Sequence, residues 1–273
     1  MPELPEVEAV RRYLLKSGIV GLKFTDMVVM WPNAIKTPSL EDFVLGVIGR
    51  SVCNIDRRAK FLIIRLDDGQ NIVAHLRMTG SFLMRSTAEP RHRMTRNYFA
   101  VDDGRELLFV DPRKLGMLWL VENENELTGM LGPEPLEPGF TPDLLGQILS
   151  KKMVPVKAIL CDQKLIAGIG NIYADEVLFL SNIHPLTPGS EIPENQILLL
   201  RESIVISLSR AVETLDGLVE QELGLTESYE GSITLQVPRK IGDPCSNCRT
   251  NIERVQIRGR STYFCMRCQP RMN

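Results

Sequence analysis

Proline stands second in the chain and is followed directly by glutamate, in the opening MPELPEVE. If the initiator methionine is removed, the Pro2 nitrogen becomes a free secondary amine. A terminal amine has a pKa of about 8, far below that of lysine, so a useful fraction is neutral and nucleophilic at cellular pH. Glu3 can move protons for such a nucleophile. The alternative is an ordinary helix-start proline, which these residues alone favour.

Four of the six cysteines form the pattern C-x2-C-x16-C-x2-C, which is typical of a four-thiolate zinc site. They are Cys245, Cys248, Cys265 and Cys268. Because all four ligand positions are filled, we predict one structural Zn²⁺ and no position for a catalytic water. Two unrelated cysteine pairs are the alternative. The remaining Cys53 and Cys161 are predicted to be small buried hydrophobic residues.

The segment between the two cysteine pairs, QIRGRSTYF, predicts a β-hairpin with two arginines and a glycine near its tip. Arginines in that position can grip phosphate oxygens, although a solvated cationic turn is equally compatible. From Arg239 onward eight basic residues face two acidic ones, whereas the whole chain has a net charge of −2. Any nucleic-acid surface is therefore local.

The pattern of the chain predicts an α+β multidomain protein of three parts. Apolar residues at helical spacing predict an N-terminal helix over 4–16, and short β-rich runs between about 21 and 121 predict a β-sandwich. Helical patterning follows the proline-rich LGPEPLEPGFTPDL. We place the domains at 1–132, 133–231 and 232–273.

A glycine turn, Gly168-Ile169-Gly170, joins two predicted helices of the middle domain, and Asn171 opens the second helix. A helix start exposes unpaired N–H groups, which can hold a phosphate. Asn171 can cap that helix or reach a phosphate itself. Taken alone, such a turn favours ordinary capping.

The motifs MPELPEVE, HLRMTG, DPRKLG, LGPEPL, AGIGNIYADE and the cysteine finger together resemble bacterial formamidopyrimidine-DNA glycosylases. The resemblance runs across nearly the whole chain. It implies an N-terminal β-sandwich with a packed helix, a helix–two-turn–helix domain and a C-terminal β-hairpin zinc finger. It also implies double-stranded damaged DNA as the partner, bound in the cleft between domains.

The resemblance implies a base-excision-repair enzyme that removes oxidised purines such as 8-oxoguanine and formamidopyrimidines. In that interpretation Pro2 attacks C1′, the base leaves, and the resulting Schiff base permits β- and δ-elimination at the abasic site. One alternative is the same lyase chemistry on other lesions, such as oxidised pyrimidines or plain abasic sites. Another is a protein that binds damaged DNA without glycosylase activity.

We expect a monomer in the bacterial cytoplasm, associated with the nucleoid when bound to DNA, since no apolar run reaches the length of a membrane span.

Matching the family motifs residue by residue assigns further roles. Pro2, Glu3, Lys60 and Arg260 match the catalytic set, in which Lys60 and Arg260 contact phosphates. The residues that match DNA-contacting positions are His75, Arg77, Met78, Arg113, Leu115 and Asn171. Among them Met78, Arg113 and Leu115 match the residues that fill the space left by the extruded nucleotide, and His75 could equally be a satisfied core residue.

The chain also departs from the family pattern. The stretch after the second-domain helices is acidic, with Glu220, Glu222, Glu227 and Glu230, where the family has a loop that covers the oxidised purine. Leu115 stands where the family has an aromatic residue, and Ala59 stands where it usually has glycine. We therefore hypothesise that nicking chemistry is retained while the choice of damaged base is altered or relaxed.

Overall fold

The computed structural model describes residues 1–216 and 235–271, which form two compact units. The first unit comprises Met1–Met130 with residues 212–216, and the second comprises Leu131–Ala211 with residues 235–271. Within these ranges no helix has the length and apolar character needed to cross a membrane. The acidic stretch with Glu220, Glu222, Glu227 and Glu230 lies outside the described residues.

The first unit contains nine β-strands arranged in two sheets. The strands are β1 (Phe24–Val29), β2 (Ile35–Thr37), β3 (Val52–Arg58), β4 (Phe61–Leu66), β5 (Asn71–His75), β6 (Ser81–Ser86), β7 (Thr95–Val101), β8 (Arg105–Val110) and β9 (Met117–Val121). One sheet has the order β1-β7-β8-β6 and the other β2-β9-β5-β4-β3. Neighbouring strands are antiparallel except for β2 and β9. Both sheets contribute to one apolar core, so the predicted β-sandwich is confirmed.

Helix α1 (Leu4–Lys16) has the bounds that its apolar spacing predicted. Its residues Leu4, Val7, Val10 and Leu14 are completely buried, because they recur on one helical face that packs on β3, β4 and β6. Glu3 precedes the helix and forms a capping box with Glu6, whose carboxylate accepts a hydrogen bond from the Glu3 N–H at 2.7 Å. Burial and capping together fix the start of the chain.

Two local features differ from the sequence prediction. Helix α2 (Leu40–Val47) interrupts the β-rich region, where Ser39 caps it by accepting a hydrogen bond from the Asp42 N–H at 3.2 Å. Cys161 is buried as predicted, but Cys53 is exposed. The prediction for Cys53 was wrong because β3 is an edge strand, with a register irregularity between Val52 and Asn54.

The remaining elements build the second unit, apart from the short α3 (Asn125–Thr128) of the first. They are α4 (Pro142–Leu149), α5 (Val156–Leu160), α6 (Asn171–Leu180), α7 (Glu194–Leu215), which begins in this unit, and the hairpin strands β10 (Glu253–Ile257) and β11 (Arg260–Phe264). Phe179 of α6 shares a small apolar cluster with Val237, Cys245, Ile252 and Cys265. The cysteine-bearing hairpin is therefore packed against α6.

A buried ionic cluster joins α5, α6 and the hairpin. The Lys157 ammonium lies 2.6 Å from one carboxylate oxygen of Asp175, and both residues are 1% exposed. The second Asp175 oxygen accepts from the Arg239 guanidinium at 3.1 Å and from the Tyr263 N–H at 3.3 Å. Lys157 also donates to the Ser261 carbonyl at 3.1 Å. Asp175 therefore ties both the preceding helix and β11 to α6.

Replacing Asp175 with asparagine removes the charge that balances Lys157 and Arg239. We expect Asp175→Asn to lower the free energy of unfolding by about 3 kcal/mol or more, because breaking one side of a buried ion pair leaves an uncompensated charge. Chemical denaturation of purified protein measures this loss. The control is Asp143→Asn in the exposed first turn of α4, expected to cost less than about 1 kcal/mol. Equal losses in both variants would contradict a structural role for the cluster.

Candidate functional site

Pro2 and Glu3 lie buried at the start of α1, and Glu3 is only 2% exposed. The capping box orients the Glu3 backbone through Glu6, which is itself 4% exposed. A nucleophile at residue 2 would thus project from a rigid helix start with a carboxylate beside it. This is the arrangement that covalent catalysis with proton transfer requires.

Lys60 lies in the two-residue turn between β3 and β4 and is 5% exposed. Ala59, the other turn residue, has φ of 53°, in the left-handed region that favours glycine. Alanine tolerates this backbone at a modest conformational cost, so the turn retains its shape without the glycine usual in the resembled family. Lys60 is therefore a buried cation held at a tight turn.

His75 ends β5 and is held as a neutral imidazole. Burial, together with the positive charges of Arg77 and Lys60, lowers its pKa to about 4. Its ring packs edge-on against Phe61 with 4.9 Å between centroids, and its Nδ1 accepts a hydrogen bond from the Arg77 N–H at 3.0 Å. The proton of the neutral ring is therefore on Nε2. His75 can offer a phosphate a neutral N–H but no charge.

Met78, Arg113 and Leu115 lie on two loops of the first unit that hydrogen bonds connect. All three side chains are exposed, with 37% exposure for Met78 and 43% for Leu115. The Thr79 hydroxyl donates to the Asp111 carboxylate at 2.5 Å, and Thr79 also accepts from the Arg113 N–H at 3.3 Å. These three residues are the ones predicted to fill the space left by the extruded nucleotide, which we call the extrusion space. The structure places them on two loops that hydrogen bonds hold together.

In the second unit the turn before α6 presents Asn171, which is the first helical residue. The preceding Gly170 occupies the cap position with an extended backbone, so the interpretation of Asn171 as the cap is wrong. The Asn171 side-chain amide instead donates to the Ser261 carbonyl at 3.1 Å. Asn171 therefore connects the helix start to the hairpin strand that carries Arg260.

The hairpin tip has the geometry that its sequence predicted. Arg258 and Gly259 form the two-residue turn, and both have positive φ, at 46° and 74°. Two positive φ values characterise a type I′ turn, for which a glycine is well suited. Arg258 and Arg260 are exposed and line an open cleft of about 430 Å³ together with Asp162 and Gln163. The two guanidinium groups make the hairpin side of this cleft suitable for an anion.

The four predicted zinc ligands lie together. All four sulfur atoms are within 4.8 Å of one another, with 3.4 Å between Cys248 and Cys265 and 3.8 Å between Cys245 and Cys268. A tetrahedral site with zinc–sulfur bonds of about 2.3 Å has sulfurs about 3.8 Å apart. The set therefore fits one structural Zn²⁺, as predicted, and four thiolates leave no position for a catalytic water.

Gln163 is a positioning residue that sequence reasoning missed. Its amide accepts a hydrogen bond from the Gly168 N–H at 2.9 Å and donates to the Ile169 carbonyl at 2.6 Å. These bonds hold the glycine turn, in which Gly168 has φ of 84°. The only available signal was an amide five residues before the turn, and such a residue has many ordinary uses.

Family models match three parts of the chain in order. The model described as the formamidopyrimidine-DNA glycosylase N-terminal domain matches residues 1–118. The model of the formamidopyrimidine-DNA glycosylase H2TH domain matches residues 131–222. A third, described as a zinc finger found in FPG and IleRS, matches residues 242–271.

Individual proteins are similar over almost the full chain. A relative named formamidopyrimidine-DNA glycosylase from Herpetosiphon aurantiacus is 42% identical, and the alignment covers 98% of this chain and 100% of the relative. The crystal structure of Lactococcus lactis FPG (MutM) with DNA containing FAPY-dG is 34% identical with a TM-score of 0.87, covering 98% of this chain and 100% of that one. A structure of MutM with DNA containing carbocyclic 8-oxo-G is also 34% identical with a TM-score of 0.87, covering 99% and 100%.

Zinc should be present at about one ion per chain and should be needed for the fold of the hairpin. Chelation, or the substitution Cys248→Ser, should remove the metal and lower the unfolding temperature. Metal analysis and thermal unfolding measure both effects. The matched control is Cys53→Ser on the edge strand, which should keep its zinc. A folded hairpin with unchanged stability after metal removal would contradict the structural role.

The low pKa of His75 predicts a pH-dependent stability. The unfolded chain binds a proton at His75 below about pH 6.5, whereas the folded protein does so only below about pH 4. The contribution of His75 to stability is therefore present above pH 6.5 and is lost as the pH falls toward 4, by up to about 3 kcal/mol. Urea unfolding of the wild type and His75→Gln between pH 4 and 7.5 measures it. A difference between the two proteins that stays constant over this range would contradict the assignment.

Proposed function

The chain belongs to the formamidopyrimidine-DNA glycosylase family, and from that premise we propose that it removes oxidised purines from double-stranded DNA and cleaves the resulting abasic site. The single observation that carries the proposal is the buried Pro2–Glu3 pair at the capped start of α1. Relatives named formamidopyrimidine-DNA glycosylase, and similar structures bound to DNA with FAPY-dG or carbocyclic 8-oxo-G, support the substrate class.

Pro2 is the nucleophile of the proposed reaction. Its nitrogen lone pair forms a bond to C1′ of the damaged nucleotide, and the base leaves with the electrons of the glycosidic bond and takes up a proton. The amine loses its one N–H proton, and its lone pair then breaks the C1′–O4′ bond while O4′ takes up a proton. Because the nitrogen has no second N–H proton to lose, the ring-opened product is a cationic iminium. This cation acidifies C2′, so the 3′ phosphate leaves by β-elimination and the 5′ phosphate by δ-elimination.

Glu3 is the proton carrier for these steps. It lies directly beside the nucleophile, and its carboxyl group can protonate the sugar oxygen as the ring opens and then accept a proton again. Burial and the capping box restrict its movement. Met1 precedes Pro2 in this chain, so the Pro2 nitrogen is an amide until methionine is removed. Removal of Met1 is therefore a requirement of the mechanism.

The remaining site residues position the DNA backbone. Lys60 in the first unit and Arg260 with Asn171 in the second are proposed to contact phosphates flanking the lesion. Arg260 supplies an exposed, forked cation, and the Asn171 amide has a second N–H besides the one that binds Ser261. His75 and Arg77 are proposed to add a neutral and a charged donor. The enzyme acts as a cytoplasmic monomer, with the three domains at 1–132, 133–231 and 232–273.

Borohydride trapping tests the covalent intermediate. Wild-type protein, shown by intact mass to lack Met1, should form a reduced adduct with duplexes containing 8-oxoguanine or an abasic site, and peptide mapping should place it on Pro2. Glu3→Gln should lower the rate of adduct formation by about a hundredfold or more, because it cannot carry the proton. The matched control Glu41→Gln, at an exposed position in the first turn of α2, should behave as wild type.

The same assay separates the rival functions. An adduct with abasic DNA or oxidised pyrimidines but not with 8-oxoguanine would show lyase chemistry directed to other lesions. No adduct on any duplex, despite tight binding, would show a damaged-DNA-binding protein. Either result would overturn the proposed substrate class.

A further inference from the structure

Asp111 follows β8 and is 1% exposed, and its carboxylate accepts hydrogen bonds from groups on two loops. Its Oδ1 accepts hydrogen bonds from the Thr79 hydroxyl at 2.5 Å and from the Arg113 N–H at 3.2 Å. Its Oδ2 accepts from the Leu115 N–H at 2.6 Å and from the Gly116 N–H at 2.7 Å. An ionised carboxylate accepts about four hydrogen bonds and donates none, so this set matches its full capacity.

The backbone of Asp111 is held from the neighbouring strand. The guanidinium of Arg96 in β7 donates to the Asp111 carbonyl at 2.6 Å and to the Pro112 carbonyl at 3.1 Å. The Asp111 N–H donates to the Met94 carbonyl at 3.1 Å. The carboxylate therefore projects from a fixed point of the sheet into the loop that follows.

That loop contains one residue in an unfavourable backbone conformation and one glycine that its close packing requires. Lys114 has φ of 58°, which is unfavourable for a residue with a side chain. A Cβ atom at Gly116 would lie 2.5 Å from the Phe109 ring and 3.3 Å from Asp111 Oδ2, so the backbone passes too close to admit a side chain. The hydrogen bonds to Asp111 compensate for this unfavourable conformation.

Every residue assigned to the extrusion space is tied to this carboxylate. Arg113 and Leu115 donate their backbone N–H groups to it, and Met78 directly precedes Thr79, which donates its hydroxyl. The three side chains remain exposed above the buried carboxylate. We propose that Asp111 is a positioning residue that holds Met78, Arg113 and Leu115 ready to enter the duplex when the damaged nucleotide is extruded.

This inference rests on the proposed function and deepens it. Leucine fills space but stacks on bases less well than an aromatic ring, so Leu115 gains less on insertion. An inserting group with a weaker contact depends more on being ordered before binding, because less binding energy is available to order it. The hydrogen bonds to Asp111 provide that order in the free protein.

A residue that acts in extrusion affects base excision and abasic-site nicking differently. Removing 8-oxoguanine paired with cytosine requires a stacked base to leave the helix, whereas a preformed abasic site has no base to unstack. A merely structural residue would lower both activities together. The ratio of base excision to abasic-site nicking therefore distinguishes positioning from general stability.

Asp111→Asn tests the proposal, because the amide keeps one acceptor oxygen and places an NH₂ group against hydrogen-bond donors. We expect the ratio of 8-oxoguanine excision to abasic nicking to fall by about tenfold or more. Thr79→Val removes the hydroxyl's bond to Asp111 and the weak bond that it accepts from the Arg113 N–H, but leaves the carboxylate in place, and should give a smaller fall in the same direction. The control Val47→Ala, a core truncation in α2, should leave the ratio unchanged even if it lowers the unfolding temperature.

A second measurement separates this inference from the proposed function. In the Glu3→Gln background, 2-aminopurine placed opposite an uncleavable abasic analogue reports insertion into the helix through its fluorescence without any chemistry. Protein that retains Asp111 should raise the 2-aminopurine fluorescence when it binds the duplex. The Asp111→Asn protein should lose most of that rise. Equal signals, or equal activity ratios in Asp111→Asn and Val47→Ala, would overturn the inference, whereas a wild type that forms no adduct would overturn the proposed function alone.

Discussion

The reacting nitrogen of the proposed mechanism is a chain terminus, and a terminus is normally the least ordered part of a domain. Catalysis requires it to be held to a fraction of an ångström. The structure meets this constraint by burying one face of α1 in the sandwich core and by capping the helix with Glu3 and Glu6. The two sheets therefore act as the support of a single helix start.

Glu8 ties the same helix to the neighbouring sheet through Arg57 of β3. Burial raises the pKa of Glu8, but the hydrogen bond and charge of Arg11, together with Arg57 and Arg12, outweigh burial and hold the pKa below its ordinary value. The carboxylate accepts from Arg11 at 2.7 Å and from Arg57 of β3 at 3.2 Å. An ion pair that joins helix to strand resists rotation of α1, which would displace residues 2 and 3.

The sequence predicted the elements that depend on local patterns. Four apolar positions at helical spacing were enough to define α1, and the two C-x2-C pairs were enough to identify the metal site. Helix α2 was not predicted because it has only eight residues within a β-rich region, and a helical pattern of little more than two turns is hard to recognise there. The role of Asp111 was not predicted for another reason. Thr79 is 32 residues away in the sequence, and only the sheet register brings the two residues together. Hydrogen bonds between loops leave no periodic trace.

The overall charge of −2 does not conflict with a DNA partner, because charges in salt solution act over about 8 to 10 Å. A phosphate at the hairpin therefore experiences the nearby guanidinium groups of Arg258 and Arg260 and not the average of the chain. In the buried cluster, Asp175 engages Lys157 and Arg239, whereas Arg258 and Arg260 are exposed. The second unit thus uses some of its cations to hold the hairpin against α6 and presents others to solvent. Both uses serve one requirement, because an exposed arginine recognises a phosphate selectively only when the strand that carries it is fixed.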